Sequence, residues 1–206
     1  MLNEELAIKK SKRKSRNCYG VSIVCNVSSC INILNMIAYL KQIPELISNF
    51  FWIDSVCLHV TLVRCCSVLK DFEISTDFLN YIEQHLDSQK KFQLKASKIC
   101  LDEDGVIRLY LSKVPHIFFE NISIEYLYNI SGLTYKVISE PWITIAYSIP
   151  TQLENLKKYY EYFNKQLSLL DINFTIGVHE VEIVKYSDNS LKNKIVQCKI
   201  TLKDDR

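Results

Sequence analysis

The sequence has no apolar run of the ~18 residues that a membrane-spanning helix needs, and its start has no apolar stretch of signal-peptide type. No membrane partner is therefore expected. Its eight cysteines, at positions 18, 25, 30, 57, 65, 66, 100 and 198, form no C-x-x-C pair and no Cys/His spacing suited to zinc. Neither a metal nor a cofactor is expected. Several of these cysteines sit inside apolar strand-like segments, where a free thiol behaves as a small hydrophobe, so a reducing compartment is expected. Short repeats and low-complexity tracts are absent beyond the N-terminal segment.

Negative charge is missing from one place in particular. Residues 9–16 hold Lys9, Lys10, Lys12, Arg13, Lys14 and Arg16 with no acid among them. The formal net charge is only +2, so the rest of the chain is mildly acidic. Residues 1–16 are expected to form a basic disordered tail: a nuclear address, an arm attracted to RNA backbone, or a solvated terminus. The remainder, 17–206, is expected to be a single two-lobed domain. With 206 residues, 48% of them hydrophobic and 23% charged, the chain has enough material for a real core.

What is present is organised around Ser55–Arg64, SVCLHVTLVR. Val56, Leu58, Val60 and Leu62 alternate with Cys57, His59 and Thr61, the period of a strand with one face on a core. His59 and Thr61 then stand side by side on the open face, about 6–7 Å apart. An imidazole that moves a proton beside a hydroxyl that holds an oxyanion suits phosphate chemistry. A second, imperfect copy, PWITIAY, runs from Pro141 to Tyr147. There Thr144 matches Thr61, and Trp142 stands where a histidine would stand. The duplication points to two related lobes facing a shared cleft.

Around these strands the chain alternates helix and strand signals. Tyr19–Val27 reads as a first strand and Cys30–Ser48 as a helix that Pro44 bends or breaks. A helix over Asp77–Ser88 has N-cap chemistry at Ser75–Asp77. Strands Phe92–Cys100 and Val106–Ser112 make a hairpin at Asp104–Gly105; its three carboxyl groups lack calcium-ligand spacing. A helix is expected at Ile122–Tyr128 and a longer one at Gln152–Leu170. Phe174–Tyr186 and Ile195–Leu202 read as a closing strand pair around the polar loop 187–194. His85, His116 and His179 remain outside the motifs, with His179 the best-placed substitute base. Tyr135, in the loop before the second motif strand, joins Trp142 as a candidate substrate-binding residue.

Two strand-borne His-x-Thr/Ser motifs in pseudo-symmetric lobes are the hallmark of the 2H phosphoesterase superfamily. Within it the chain most resembles the U6 snRNA phosphodiesterase family, over most of residues 16–203. RNCYGVSIVCNV is similar to that family's opening strand, LHVTL to its first motif, FQLKASKICLDEDGVIRLYL to its central hairpin, and VHEVEIVKYSDNSLKNKIVQCKITL to its last strand pair. The resemblance implies an α+β fold, with two antiparallel sheets facing a V-shaped central cleft and helices outside. It also implies a monomeric, metal-independent nuclear enzyme that trims the 3′ end of a spliceosomal RNA and leaves a 2′,3′-cyclic phosphate. His59 would be the acid by carry-over, and Thr61 and Thr144 would hold phosphate oxygens. Trp142 departs from the family, because an indole N–H only donates. Three readings follow: an RNA phosphodiesterase impaired at Trp142, a non-catalytic RNA- or nucleotide-binding module, or a phosphodiesterase for cyclic or 2′-5′-linked nucleotides. A cytoplasmic location is the alternative to the nucleus.

Overall fold

The computed structural model describes residues 1–15, 19–66, 72–120, 122–187 and 191–204. Its helices are α1 (Glu4–Ser15), α2 (Ile31–Leu40), α3 (Pro44–Asn49), α4 (Thr76–Leu86), α5 (Ile117–Glu120), α6 (Ile124–Ser131) and α7 (Leu153–Ser168). Its strands are β1 (Gly20–Asn26), β2 (Phe50–Trp52), β3 (His59–Cys66), β4 (Phe92–Leu101), β5 (Val106–Leu111), β6 (Tyr135–Val137), β7 (Trp142–Ser148), β8 (Thr175–Val178), β9 (Glu180–Tyr186) and β10 (Ile195–Thr201).

The strands form two antiparallel five-stranded sheets, ordered β10-β9-β1-β3-β6 and β8-β4-β5-β7-β2. Each sheet places its motif strand, β3 or β7, second from one edge. The two sheets are thus built alike, β1 standing to β3 as β5 stands to β7. One apolar cluster runs through both, including Ile23, Leu62, Leu109, Ile145, Phe163 and Ile183. Helix α7 packs on β4, while α4 packs against β10 and α6 against β6. No helix among the described residues is long and apolar enough to cross a membrane.

Most local expectations hold for stated reasons. Pro44 starts α3 from its first turn and so separates it from α2. Ser75 caps α4, its hydroxyl accepting from the Phe78 N–H at 3.2 Å. Gly105 closes the β4–β5 hairpin with φ +72°, and a Cβ there would lie 2.5 Å from Ser148 Oγ and 3.0 Å from Ala7 Cβ. Only glycine meets both demands. Cys25, Cys30, Cys57, Cys100 and Cys198 form no disulfide among the described residues.

Four expectations change. The strand at the first motif begins at His59, because Ser55–Cys57 is a 3-10 turn whose Val56 N–H is held by Asp54 Oδ1 at 3.3 Å. Val56 is therefore exposed and Cys57 buried, the reverse of the expected alternation. Phe174–Tyr186 is not one strand: β8 pairs with β4 in one sheet, and after His179 the chain joins the other sheet as β9. Short β2 and β6, too brief for period two to show, complete the sheets.

The N-terminal segment is the fourth change. In place of a disordered tail, residues 4–15 form α1, which lies against β7 and α7. Leu2 and Ala7 are buried, Asn3 N–H donates to Glu103 O at 2.8 Å, and Glu4 pairs with Lys157 at 2.6 Å. Ala7 fits because Gly105 has no side chain to hold the helix away. Arg16, at the end of the basic run, and part of the 187–194 loop lie outside the described residues. Removing residues 1–11 is expected to cost about 2–3 kcal/mol of stability, read as a lower thermal midpoint. An unchanged midpoint would contradict the docked helix.

Candidate functional site: a cleft between two equivalent strands

The site depends on two β-bulges. Along β3, Ile23 opposes Val63 and Val24 opposes Thr61, leaving Leu62 as an extra residue. Along β7, Ile107 opposes Ala146 and Arg108 opposes Thr144, leaving Ile145 extra. Both extra residues are fully buried, and their carbonyls accept equivalent bonds, from Ile138 N–H at 2.8 Å and Ile53 N–H at 2.9 Å. Each bulge shifts the facing pattern by one residue. The open face therefore reads His59, Thr61, Arg64 on one strand and Trp142, Thr144, Tyr147 on the other.

All six side chains line one cavity of about 120 Å³, together with Ser22, Arg108, Lys10 and the apolar Ile138, Tyr186 and Leu191. His59, Thr61, Trp142 and Thr144 thus share one cleft. Tyr135 does not join them: it is buried, its ring stacks on Phe78 at 5.4 Å, and its hydroxyl donates to Ser131 Oγ at 3.1 Å. Its place on β6 turns it into the core. The other three histidines are elsewhere. His85 lies on α4 with Nδ1 donating to Tyr81 O at 2.7 Å, His116 pairs with Glu120 at 3.1 Å on the surface, and His179 is exposed between β8 and β9. His179 is consequently no substitute base.

His59 is held in one tautomer. Its Nδ1 lies 2.7 Å from Cys57 O, an acceptor only, so Nδ1 carries the proton and Nε2 keeps its lone pair. Burial pushes its pKa below the ordinary imidazole value; the Cys57 carbonyl acts against this, and Lys194 reinforces it. Glu182, buried on β9, holds Lys194 at 2.5 Å and Lys199 at 3.1 Å. Burial opposes ionisation of Glu182, but the two ammonium groups overcome it and keep its carboxyl below the usual range.

The two lobes differ in how they use arginine. Arg108 is buried and tied to Asp104 by two bonds of 2.7 and 2.8 Å, and also to Asp102. Burial works against its charge, yet the two carboxylates overcome this and raise its pKa. Its guanidinium lies 5.7 Å from the Trp142 ring centre, holding the indole in a cation–π contact. Lys10 of α1 reaches the same Asp104 at 3.5 Å. Arg64, by contrast, makes no ion pair among the described residues and stands beside Tyr147 in the cleft. It is a cation available to an anion there. The Tyr147 pKa is raised by burial, while Thr144 hydrogen-bonds to its hydroxyl.

The arrangement offers one neutral imidazole nitrogen, two threonine hydroxyls, one arginine and one indole around a single pocket. Among the described residues no three His, Cys, Asp or Glu side chains gather as a metal ion would need. Sequence reasoning missed Arg64 and Tyr147, although both motifs carry the signal. Leu62-Val63 and Ile145-Ala146 are apolar pairs that break the alternation at the same point, as an inserted residue does.

The fold is that of the 2H phosphoesterases: an α+β structure of two antiparallel sheets. Escherichia coli LigT, in its complex with NADP+, is 14% identical and superposes with a TM-score of 0.53 over 91% of this chain and 99% of that one. A protein described as a phosphoesterase is 14% identical, with a TM-score of 0.55 over 90% and 99%. TT0787 of Thermus thermophilus is 10% identical, with a TM-score of 0.58 over 91% and 100%. No protein-family model matches the chain, and no curated protein matches it in sequence. The likeness is one of fold.

In a proton NMR titration, the His59 ring is expected to titrate below the ordinary value of ~6.5. The sign for stability follows. The unfolded chain takes up this proton first, so the contribution is whole above ~6.5 and is lost as pH falls through the folded-state pKa. A midpoint above ~6.5 would show a charged His59 and contradict the desolvated site.

Proposed function

We propose that the protein is a metal-independent RNA phosphodiesterase that trims a U6-like RNA 3′ end and leaves a 2′,3′-cyclic phosphate. The observation that carries this reading is the convergence of His59, Thr61, Arg64 and Thr144 on one cavity. LigT of the same fold has been crystallised with phosphate and with 3′-AMP, which supports a nucleotide phosphate as the ligand here.

In this reading the scissile phosphate sits between Thr61 and Thr144, with Arg64 balancing its charge. The ribose 2′ oxygen attacks phosphorus, forming the 2′ O–P bond as the P–O5′ bond breaks. A neutral imidazole with a free Nε2 suits a base, so His59 takes the 2′ proton rather than giving one to the leaving oxygen. That differs from the acid role implied by family resemblance. The leaving 5′ oxygen then draws its proton from water, since Trp142 donates a hydrogen bond without releasing a proton at neutral pH. Lack of a second proton-transfer group costs on the order of 10²–10⁴ in rate. The basic segment 9–16 serves as an RNA arm, a role that the position of Lys10 on the cleft wall supports; a nuclear address in the same run would place the enzyme with its RNA, acting as a monomer.

A second reading rests on Trp142 itself. Backed by Arg108 and facing the cavity, it can stack on a base, worth about 1–3 kcal/mol, and hold the RNA end without cutting it. The test is an oligouridine-tailed RNA read on a sequencing gel. Trp142→His is expected to raise the cleavage rate ten-fold to a thousand-fold, at roughly the value of one general acid, and His59→Ala in that background to abolish the gain. Binding without cleavage by either form would leave the second reading standing.

A further inference from the structure

One buried polar side chain of the cleft has no part in the mechanism. Ser22, on β1, is 4% exposed and lines the same cavity as His59 and Thr61. Its hydroxyl makes no hydrogen bond among the described residues, yet Oγ is not sealed off from the cavity. A buried hydroxyl without a partner costs free energy unless something binds to it. Packing does not call for a hydroxyl at this place, as the second lobe shows. Ser22 stands directly opposite Arg64 in the β1–β3 pair, and Val106 stands directly opposite Tyr147 in the β5–β7 pair. The two pairs are equivalent, since Arg64 and Tyr147 each come two residues after the extra residue of a bulge. Val106 is buried and apolar, and so is Val184, the neighbour of Ser22 on β9. An apolar side chain would therefore fill the position, and the serine needs another reason.

The surroundings of the hydroxyl suit a phosphate oxygen. Residues directly opposite in an antiparallel pair have Cβ atoms about 4.5–5.5 Å apart on one face. Ser22 thus stands beside Arg64, which makes no ion pair among the described residues. Val24, two residues along β1, is opposite Thr61. A two-residue step along a strand is about 6–7 Å, so Ser22 lies one such step from the row of Thr61. Two hydrogen bonds of ~2.8 Å, joined across one phosphate, cover that step. Glu182, opposite Val24 on β9, does not make this corner negative, because Lys194 and Lys199 neutralise it.

We propose that Ser22 is a phosphate-binding residue of the cleft, its hydroxyl donating to a non-bridging oxygen that the Arg64 guanidinium also contacts. The proposal rests on the reading of the cleft as a phosphodiester site. Ser22, Arg64 and Thr61 then anchor the phosphate on the first lobe, and Thr144 meets it from the second. The lobe that carries the imidazole thereby carries most of the anion contacts, and the other lobe offers the Trp142 indole to a base.

The test is an NMR titration of the full chain with inorganic phosphate and with 2′-deoxyuridine 3′-phosphate. Ser22→Ala is expected to weaken both ligands about ten-fold, the worth of one hydrogen bond to a charged group. It is also expected to leave the thermal midpoint unchanged or raise it, because it removes an unpaired buried hydroxyl. Ser22→Cys keeps the shape of the side chain but has only a weak donor, and the same loss of affinity is expected. Unchanged affinity in Ser22→Ala, a loss with only one of the two ligands, or wild-type affinity in Ser22→Cys would each overturn the Ser22 contact and leave the cleft reading intact. A midpoint lowered in both variants would assign the hydroxyl to the fold and overturn the contact as well. Failure of the unaltered protein to bind either ligand would overturn both readings.

Discussion

Two inserted residues, Leu62 and Ile145, set the geometry on which the cleft depends. In a regular strand, positions 59, 61 and 63 would face one way and 64 the other. The bulge in β3 keeps His59 and Thr61 on the open face, brings Arg64 to join them, and returns Val63 to the core. The bulge in β7 does the same for Trp142, Thr144 and Tyr147. Both bulges are anchored by buried apolar side chains and by carbonyls bonded to the residue that follows the outer strand. A bulge thus secured is hard to slide, because moving it one place would bury Arg64 or expose Leu62.

The two lobes share this backbone but have diverged in charge. One presents a neutral imidazole and an arginine without an ion-pair partner among the described residues. The other replaces the imidazole by an indole and uses its arginine structurally, tied to Asp102 and Asp104 and set behind the Trp142 ring. A buried guanidinium needs such partners, because an unpaired charge there would cost several kcal/mol. The acidic hairpin Asp102–Asp104, whose carboxyl groups lack calcium-ligand spacing, is thereby a support for the site. It also receives Lys10, so the N-terminal helix and the cleft are joined through one carboxylate.

Much of this was legible in the sequence. The two motif strands, the Gly105 hairpin, the Pro44 break and the α+β class came from period and turn chemistry, which act locally. His59, Thr61, Trp142 and Thr144 were found because each pair stands on one strand face. What was not legible came from contacts between distant segments. Tyr135 reads as a polar-tipped loop residue until β6 pairs with β3 and turns its ring toward Phe78. Helix α1 contains too few apolar residues to declare a packed face, and only the absence of a side chain at Gly105 makes room for Ala7. Cys57 O fixes the tautomer of His59, but a backbone acceptor leaves no mark in the residue pattern.

The account turns on the claim that the cleft holds a nucleotide phosphate between its two threonines. A crystal structure with 2′-deoxyuridine 3′-phosphate soaked into the cleft tests this most directly. The account predicts the phosphate within about 2.5–3.2 Å of Thr61 and Thr144 hydroxyls, with Arg64 turned toward it and His59 Nε2 facing the ribose 2′ position. A phosphate bound elsewhere, or within the cleft but beyond reach of both threonines, would contradict it.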